Sequence, residues 1–255
     1  MLSYQHLYHA GNAADVHKHA ALALALDYLT RKDKPLTYIE THAGRGLYDL
    51  AAPEALKTGE AAQGIARLQS SFAPDHPYSR ALAAQPDGLY PGSPAIARAL
   101  LRAQDRLHLA ELHPQEFDAL KANLRAPNVT TYKQDGLALA QSLCPPEPRR
   151  GMMLVDPSYE VKDDYAQIPT WLAAITRKWN VGIVMLWYPI LTSGAHRPML
   201  TALRSAHKDA LIHEVAFPPA REGHRMIGSG LFIVNPPYGL ETALANLSAA
   251  FRTLT

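Results

Sequence analysis

The stretch "MMLVDPSYE", residues 152–160, is an apolar run that ends in an acid, a proline, a serine and a tyrosine. A short apolar run with no alternation, closed by turn residues, reads as a strand buried on both faces of a parallel sheet. Working outward, further β-rich runs appear at "LTYIE" (36–40), "RLHLAEL" (106–112), "VTTYKQD" (129–135), "VGIVMLWY" (181–188), "ALIHEVAF" (210–217) and "SGLFIVN" (229–235). Segments of helical period lie between them, so the chain is expected to be α/β, a mostly parallel sheet covered by helices. The first helix is predicted from Asn12 or Ala13 to Leu29. Asp15 falls in its first turn and Arg31 and Lys32 at its end, as the helix dipole prefers.

A chain of 255 residues with 47% hydrophobic content can bury a substantial core, enough for one α/β domain with an insertion. The formal charge of +2 permits a nucleic-acid partner without demanding one. Cys144 is the only cysteine, which rules out an internal disulfide, and no ligand spacing surrounds it, so no metal site is expected. No apolar run approaches the ~20 residues that span a bilayer, and the N-terminus has no signal-peptide core. A reduced, cytoplasmic protein without a membrane partner is the expectation. Two stretches break the βα rhythm. Residues 50–92 are mostly helical in pattern, interrupted at "FAPDHPYS" and "QPDGLYPGSP", and read as an inserted helical subdomain; residues 1–49 and 93–255 make up the main domain. The first dozen residues carry Tyr4, His6, Tyr8 and His9 with no period at all, which composition alone would call a frayed arm.

The chemistry-bearing residues sit at strand ends. After the first strand comes "ETHAGRGLYDL", in which Gly44 and Gly46 let a ligand approach the backbone. Position 49 is Asp where a dinucleotide fingerprint wants a third glycine, so an NAD site is disfavoured. The next strand ends at Glu111, which can accept from both hydroxyls of a ribose or can be a solvated carboxylate. The third ends at Asp135 and Gly136, ordinary turn residues that can also accept from an adenine amino group. Glycines, an acid and then an Asp, in that order along the sheet, suit an adenosyl ligand. Seven strands is also the count in the sheet of most methyltransferases that use S-adenosylmethionine.

The fourth strand supplies Asp156, Pro157 and Tyr159. The lone pair of an adenine N6 amino group is delocalised into the ring, so it is a poor nucleophile. An acceptor on its N–H bonds and an aromatic face beneath the base address that problem once the base is swung out of its stack. A better match to such a motif, "NPPY", stands at 235–238 in "LFIVNPPYGLE". The last strand is expected to run antiparallel to the other six, which sends its carboxyl end to the opposite edge of the sheet. On that reading Asn235–Tyr238 is a helix start, and the chemistry belongs to Asp156–Tyr159.

The segments "MLSYQHLYHAGNAADVHKHA", "THAGRGLYDL", "LYPGSPAIARALLRAQD", "ELHP", "QDG" and "DPSYE" with "KDDY" resemble the RlmJ family of bacterial 23S ribosomal RNA adenine-N6 methyltransferases across essentially the whole chain. The resemblance implies a class I S-adenosylmethionine-dependent methyltransferase fold, a Rossmann-like seven-stranded sheet with an inserted helical subdomain. It implies S-adenosyl-L-methionine as co-substrate and Asp156 as proton acceptor. It implies donor contacts at His19, His42, Ser93, Glu111, Asp135 and Gly136, and puts Tyr4 against the RNA. The partner so implied is 23S rRNA, free of ribosomal proteins or early in assembly, met by a monomer.

Bland readings compete at several of these positions. Ser93 before Pro94 looks like a helix N-cap. His19, four residues after Asp15, could pair with it on an exposed helical face. Lys18 could be solvated, or could face RNA phosphate. With the family in view, the arm carrying Tyr4 and His6 is expected to fold over the pocket, and Arg221, His224 and Arg225 in "FPPAREGHRM" are candidate RNA contacts. One departure stands out: the family pattern is Asp-Pro-Pro-Tyr, and this chain has Ser158. Losing that proline removes a φ constraint. Two other readings share much of the pattern, an RNA-binding relative without turnover and a DNA adenine-N6 methyltransferase. The modest charge and lack of a DNA-reading motif disfavour the latter.

Overall fold

The computed structural model describes residues 5–159, 163–221 and 223–254. Tyr4 lies outside the described residues. A single 3-10 turn, His6–Tyr8, leads into α1 (Ala13–Thr30), β1 (Thr37–Glu40) and β2 (Leu47–Asp49). Four short helices follow: α2 (Pro53–Thr58), α3 (Glu60–Gln63), α4 (Ile65–Leu68) and α5 (Pro77–Ala83). Then come β3 (Leu89–Pro91), α6 (Ser93–Leu100), β4 (Arg106–Ala110), α7 (Pro114–Asn123), β5 (Val129–Tyr132), α8 (Gly136–Leu143) and β6 (Gly151–Val155). The chain ends with α9 (Asp164–Lys178), β7 (Ile183–Leu191), α10 (His196–Ala206), β8 (Leu211–Ala216), β9 (Met226–Val234) and α11 (Leu240–Phe251). No described helix is long and apolar enough to cross a membrane.

The main sheet has seven strands in the order β5-β4-β1-β6-β7-β9-β8. The contacts among β5, β4, β1, β6 and β7 are parallel, and β9 runs antiparallel between β7 and β8. Chain order reverses beside β1, so β1 and β6 flank the crevice where an open α/β sheet takes its ligand. Side chains alternate between two apolar clusters: Met152 and Leu154 pack on the α1 side, Met153 and Val155 on the α9 side.

The first helix begins where the sequence predicts. The Asn12 side chain accepts the Asp15 amide at 2.8 Å, the bond of an N-cap. Its environment differs from the prediction. Fourteen of its residues, from Ala13 to Leu29, are buried, polar ones included. A helix covered on nearly all sides is a core helix, and its many alanines let neighbours come close. The expected exposed face for His19 does not exist.

β2 and β3 pair antiparallel as a small ribbon that the sequence did not reveal, because three-residue strands show no period. Helices α2 to α5 lie between its two strands, and Ile65, Leu68, Tyr78 and Ala81 join the same apolar cluster as α1. At the amino end of the parallel strands, buried Asp105 accepts the Leu36 amide at 3.0 Å and three bonds from Arg102, which ties β1 to β4. Asn235 lies on that same edge. Its Nδ2 donates to the Asn180 and Gly182 carbonyls just before β7, at 3.0 and 2.8 Å.

Candidate active site

A cavity of about 950 Å³ opens at the carboxyl ends of the parallel strands. His6, Lys18, His19, His42, Gly44, Ser93, Glu111, Asp135, Gly136, Asp156, Pro157 and Tyr159 all line it. Of the site residues read from sequence, only Tyr4 is not placed. Residues 235–238 take no part in the lining.

The N-terminal segment is anchored rather than frayed. His6 Nε2 meets Asp15 Oδ2 at 2.8 Å and His9 Nδ1 meets Glu60 Oε1 at 2.9 Å. Asn12 Nδ2 donates to the other Glu60 oxygen at 3.0 Å. Asp15 is the hub. It is buried, accepts the Gly11 amide at 2.9 Å, and has Lys18 Nζ at 3.1 Å and His19 Nε2 at 3.8 Å. Burial alone would raise its pKa, but His6 and Lys18 outweigh that and hold the carboxyl well below its usual range. His19 also meets the Tyr90 hydroxyl at 2.9 Å, and burial pushes its pKa down to about 3, so the ring is neutral.

Of the two readings of Lys18 from sequence, the solvated one does not hold. Lys18 is 4% exposed and its ammonium donates to Asp156 Oδ2 at 2.5 Å while also facing Asp15. Burial works against its charge, yet the two carboxylates prevail and keep it protonated above the ordinary lysine range. Asp156 therefore sits at the cavity floor, half-buried, with one oxygen fixed by a buried cation.

The donor-side residues have local structural duties as well. Glu111 accepts the Gly44 amide at 2.8 Å and the His113 amide at 2.7 Å, and burial raises its pKa. Gly44 has φ of +58°, and a Cβ there would come within 2.3 Å of the Tyr48 hydroxyl. At Gly136 a Cβ would lie 1.7 Å from the Thr41 carbonyl, so this glycine is required by the approach of β1 to α8. Asp135 caps α8 by accepting the Ala138 amide at 2.7 Å. His42 Nδ1 meets Thr41 Oγ1 at 2.8 Å, and burial holds the ring below its usual pKa. Ser93 is not the cap expected of it. Gly92 holds that position, and the Ser93 hydroxyl donates to Glu40 at the end of β1. Tyr38 donates to the other Glu40 oxygen at 2.7 Å. Glu40 is fully buried, and that burial lifts its pKa to about 8 against the two hydrogen bonds.

After Asp156 the backbone turns through Pro157 and Ser158 to Tyr159, whose φ is +54°, an uncommon value for a bulky side chain. Its hydroxyl donates to the Trp187 carbonyl at 2.8 Å and its ring lies 4.5 Å from that of Tyr165. Asp15, Glu40, Tyr165 and Trp187 are the residues that motif reading missed. Glu40 and Trp187 act through partners 53 and 42 residues away, Ser93 and Ser229, and Asp15 and Tyr165 belong to no motif that names them. Three buried polar atoms without a partner among the described residues, His113 Nδ1, Tyr165 OH and His224 Nδ1, face this same cavity or its rim. Such atoms suit a polar, hydrogen-bonding ligand.

Sheet order, the antiparallel β9 and a cavity at the switch point are those of the class I methyltransferase fold. The family model described as ribosomal RNA large subunit methyltransferase D, RlmJ, matches residues 33–253, and the chain belongs to that family. It is 37% identical to ribosomal RNA large subunit methyltransferase J of Escherichia coli (strain K12), over 97% of this chain and 91% of the relative. The protein of the same name from Haemophilus influenzae is also 37% identical, over 97% of this chain and 92% of its own length. A crystal structure from Legionella pneumophila superposes with a TM-score of 0.87 at 35% identity, covering 96% of this chain and 94% of that one.

Proposed function

We propose that this protein transfers a methyl group from S-adenosylmethionine to the N6 amino group of an adenine in 23S rRNA. The observation that carries the reading is Asp156, held by buried Lys18, on the floor of a cavity that also collects Gly44, Glu111 and Asp135. His42, Gly44, Glu111, Asp135 and Gly136 are the proposed donor contacts, with the two Glu111 oxygens toward the ribose hydroxyls and Asp135 toward the adenine amine. His19 and Ser93 border the same volume. The donor supplies an electrophilic methyl on a sulfonium.

Asp156 and the Pro157 carbonyl accept from the N–H bonds of the target amine. Lys18 occupies Asp156 Oδ2, which leaves Oδ1 for the base. Asp156 Oδ1 polarises the N–H bond while the nitrogen lone pair attacks the methyl carbon. The bond from that carbon to the sulfonium sulfur breaks as the sulfur keeps the electron pair and leaves as a thioether. The carboxylate collects the proton once the new N–C bond has relieved the nitrogen of its lone pair. Tyr159 gives the base an aromatic face. His6, anchored on Asp15, approaches the base from the arm.

The exposed Arg221 and Arg225, with His224, lie on the rim and suit RNA phosphates, so binding should weaken as salt rises. A pocket this deep needs its nucleotide swung clear of the stack, which favours rRNA free of ribosomal proteins or early in assembly. Residues 50–92 are proposed to act as an inserted helical subdomain beside the mouth. The test is mass spectrometry of nucleosides from unmodified, deproteinised 23S rRNA after incubation with protein and donor. N6-methyladenosine is expected with the intact protein. Donor binding with no product on that RNA would sink the reading in favour of an RNA-binding relative, and product on duplex DNA alone would move the substrate.

A further inference from the structure

Trp187 belongs to no motif, yet a directed string of buried and half-buried hydrogen bonds leads to it. Pro189 pairs with Ser229, and Leu231 stands opposite both Trp187 and His213, so Trp187, Ser229 and His213 share the sheet face that α1 covers. On that face Trp187 Nε1 donates to Ser229 Oγ at 2.9 Å. Ser229 Oγ meets His17 Nδ1 at 2.8 Å, His17 Nε2 meets His213 Nδ1 at 2.8 Å, and His213 Nε2 meets Ser248 Oγ at 2.7 Å. Ser248 ends the string on the Leu244 carbonyl at 3.4 Å.

Both ends have a fixed sense, because an indole nitrogen only donates and a carbonyl only accepts. With the ends fixed and both imidazoles neutral, one arrangement satisfies every link. The Ser229 hydroxyl donates to His17, His17 carries its proton on Nε2, His213 accepts it on Nδ1 and donates from Nε2 to Ser248. Burial favours that neutral form, holding each imidazole below its usual pKa. His17 and Ser229 are fully buried. A fully satisfied buried string of this kind rigidifies what it joins, and that order can be put to use.

Its cavity end supplies that use. The Trp187 indole lines the cavity, its centroid 6.0 Å from that of Tyr159 and 5.8 Å from Lys18 Nζ. We propose that Trp187 is a contact wall for the target adenine and that Ser229, His17 and His213 are positioning residues that set the plane of its indole. The proposal rests on the methyl-transfer reading above and adds to it a specificity wall and the device that orients it.

The test uses full-length protein labelled with 5-fluorotryptophan and loaded with S-adenosylhomocysteine. Trp171, Trp179 and Trp187 then give separate fluorine resonances, the last assigned with Trp187→Phe. Adenosine 5′-monophosphate should shift the Trp187 resonance and leave the other two in place. Ser229→Ala should move that resonance before any nucleotide is added. It should also raise the KM for RNA about fivefold, the effect of one lost ordering hydrogen bond, and leave donor affinity unchanged. His213→Gln, further along the string, should act in the same direction more weakly. If Ser229→Ala loses the native Trp171 and Trp179 resonances, His213→Gln decides by the same readouts. An unmoved Trp187 resonance, or an RNA KM equal to wild type, overturns the proposal. Should the wild-type protein methylate no RNA, the methyl-transfer reading fails on its own. The wall and its string are then judged by the Trp187 resonance with and without the nucleotide.

Discussion

At the carboxyl end of β6, Asp156 meets a buried lysine and Tyr159 turns back onto Trp187; at the carboxyl end of β9, Asn235 ties down the start of β7 and Tyr238 stands 91% exposed. The two strings, Asp-Pro-Ser-Tyr and Asn-Pro-Pro-Tyr, are close relatives in sequence and face opposite edges of one sheet. Each contains a residue with φ of +54°, Tyr159 in the first and Asn235 in the second. Asparagine tolerates that region, while a buried tyrosine there is strained, and such strain gathers at functional sites. Strand direction, not likeness to a motif, separates the working string from the structural one.

The largest effect should follow from Asp156→Asn. Methyl transfer to RNA is expected to fall by about 10²- to 10⁴-fold, while calorimetry with S-adenosylhomocysteine still reports binding. An activity near wild type would erase the distinction between the two edges.

Glu40 sharpens the comparison through pH. Its folded pKa is raised to about 8, so the folded state keeps a proton that the unfolded state releases near 4.5. The contribution is fully present below pH 4.5 and is lost as pH rises toward about 8, and it is flat beyond that. Chemical denaturation across that window should show a decline in wild type that Glu40→Gln lacks. A parallel decline in both proteins would place the cause elsewhere.

On the opposite edge the prediction is one of stability alone. Asn235→Ala removes two hydrogen bonds to backbone carbonyls and puts alanine at a positive φ, which should lower stability by about 1–3 kcal/mol in urea titrations. Methyl transfer per folded molecule should not change; a fall in kcat would link the second string to the chemistry. Tyr238→Ala should be the quietest, within about 0.5 kcal/mol of wild type and with full activity.

Much of this was legible before folding was considered. The seven long strands announce themselves by apolar runs, and Gly44, Glu111, Asp135 and Asp156 follow because strand ends in a parallel sheet converge on one edge. The start of the first helix at Asn12 or Ala13 was legible too, since helical period and a first-turn acid are settled within a few residues. The fate of Lys18 was not: its partner Asp156 is 138 residues distant. The same holds for Ser93, which follows a glycine cap and reaches back 53 residues to Glu40.

What the sequence by itself determined is therefore the periodic part: element types, their order, and which residues stand at strand ends. Only the tertiary structure decided which side chains meet. It buried the face of α1 that helical spacing alone would leave in water, made Lys18 the buried partner of Asp156, and set Trp187 at the end of a hydrogen-bond string. The physical reason is one of range. Periodicity and capping are settled within a few residues, whereas burial and pairing arise only when distant segments exclude water together.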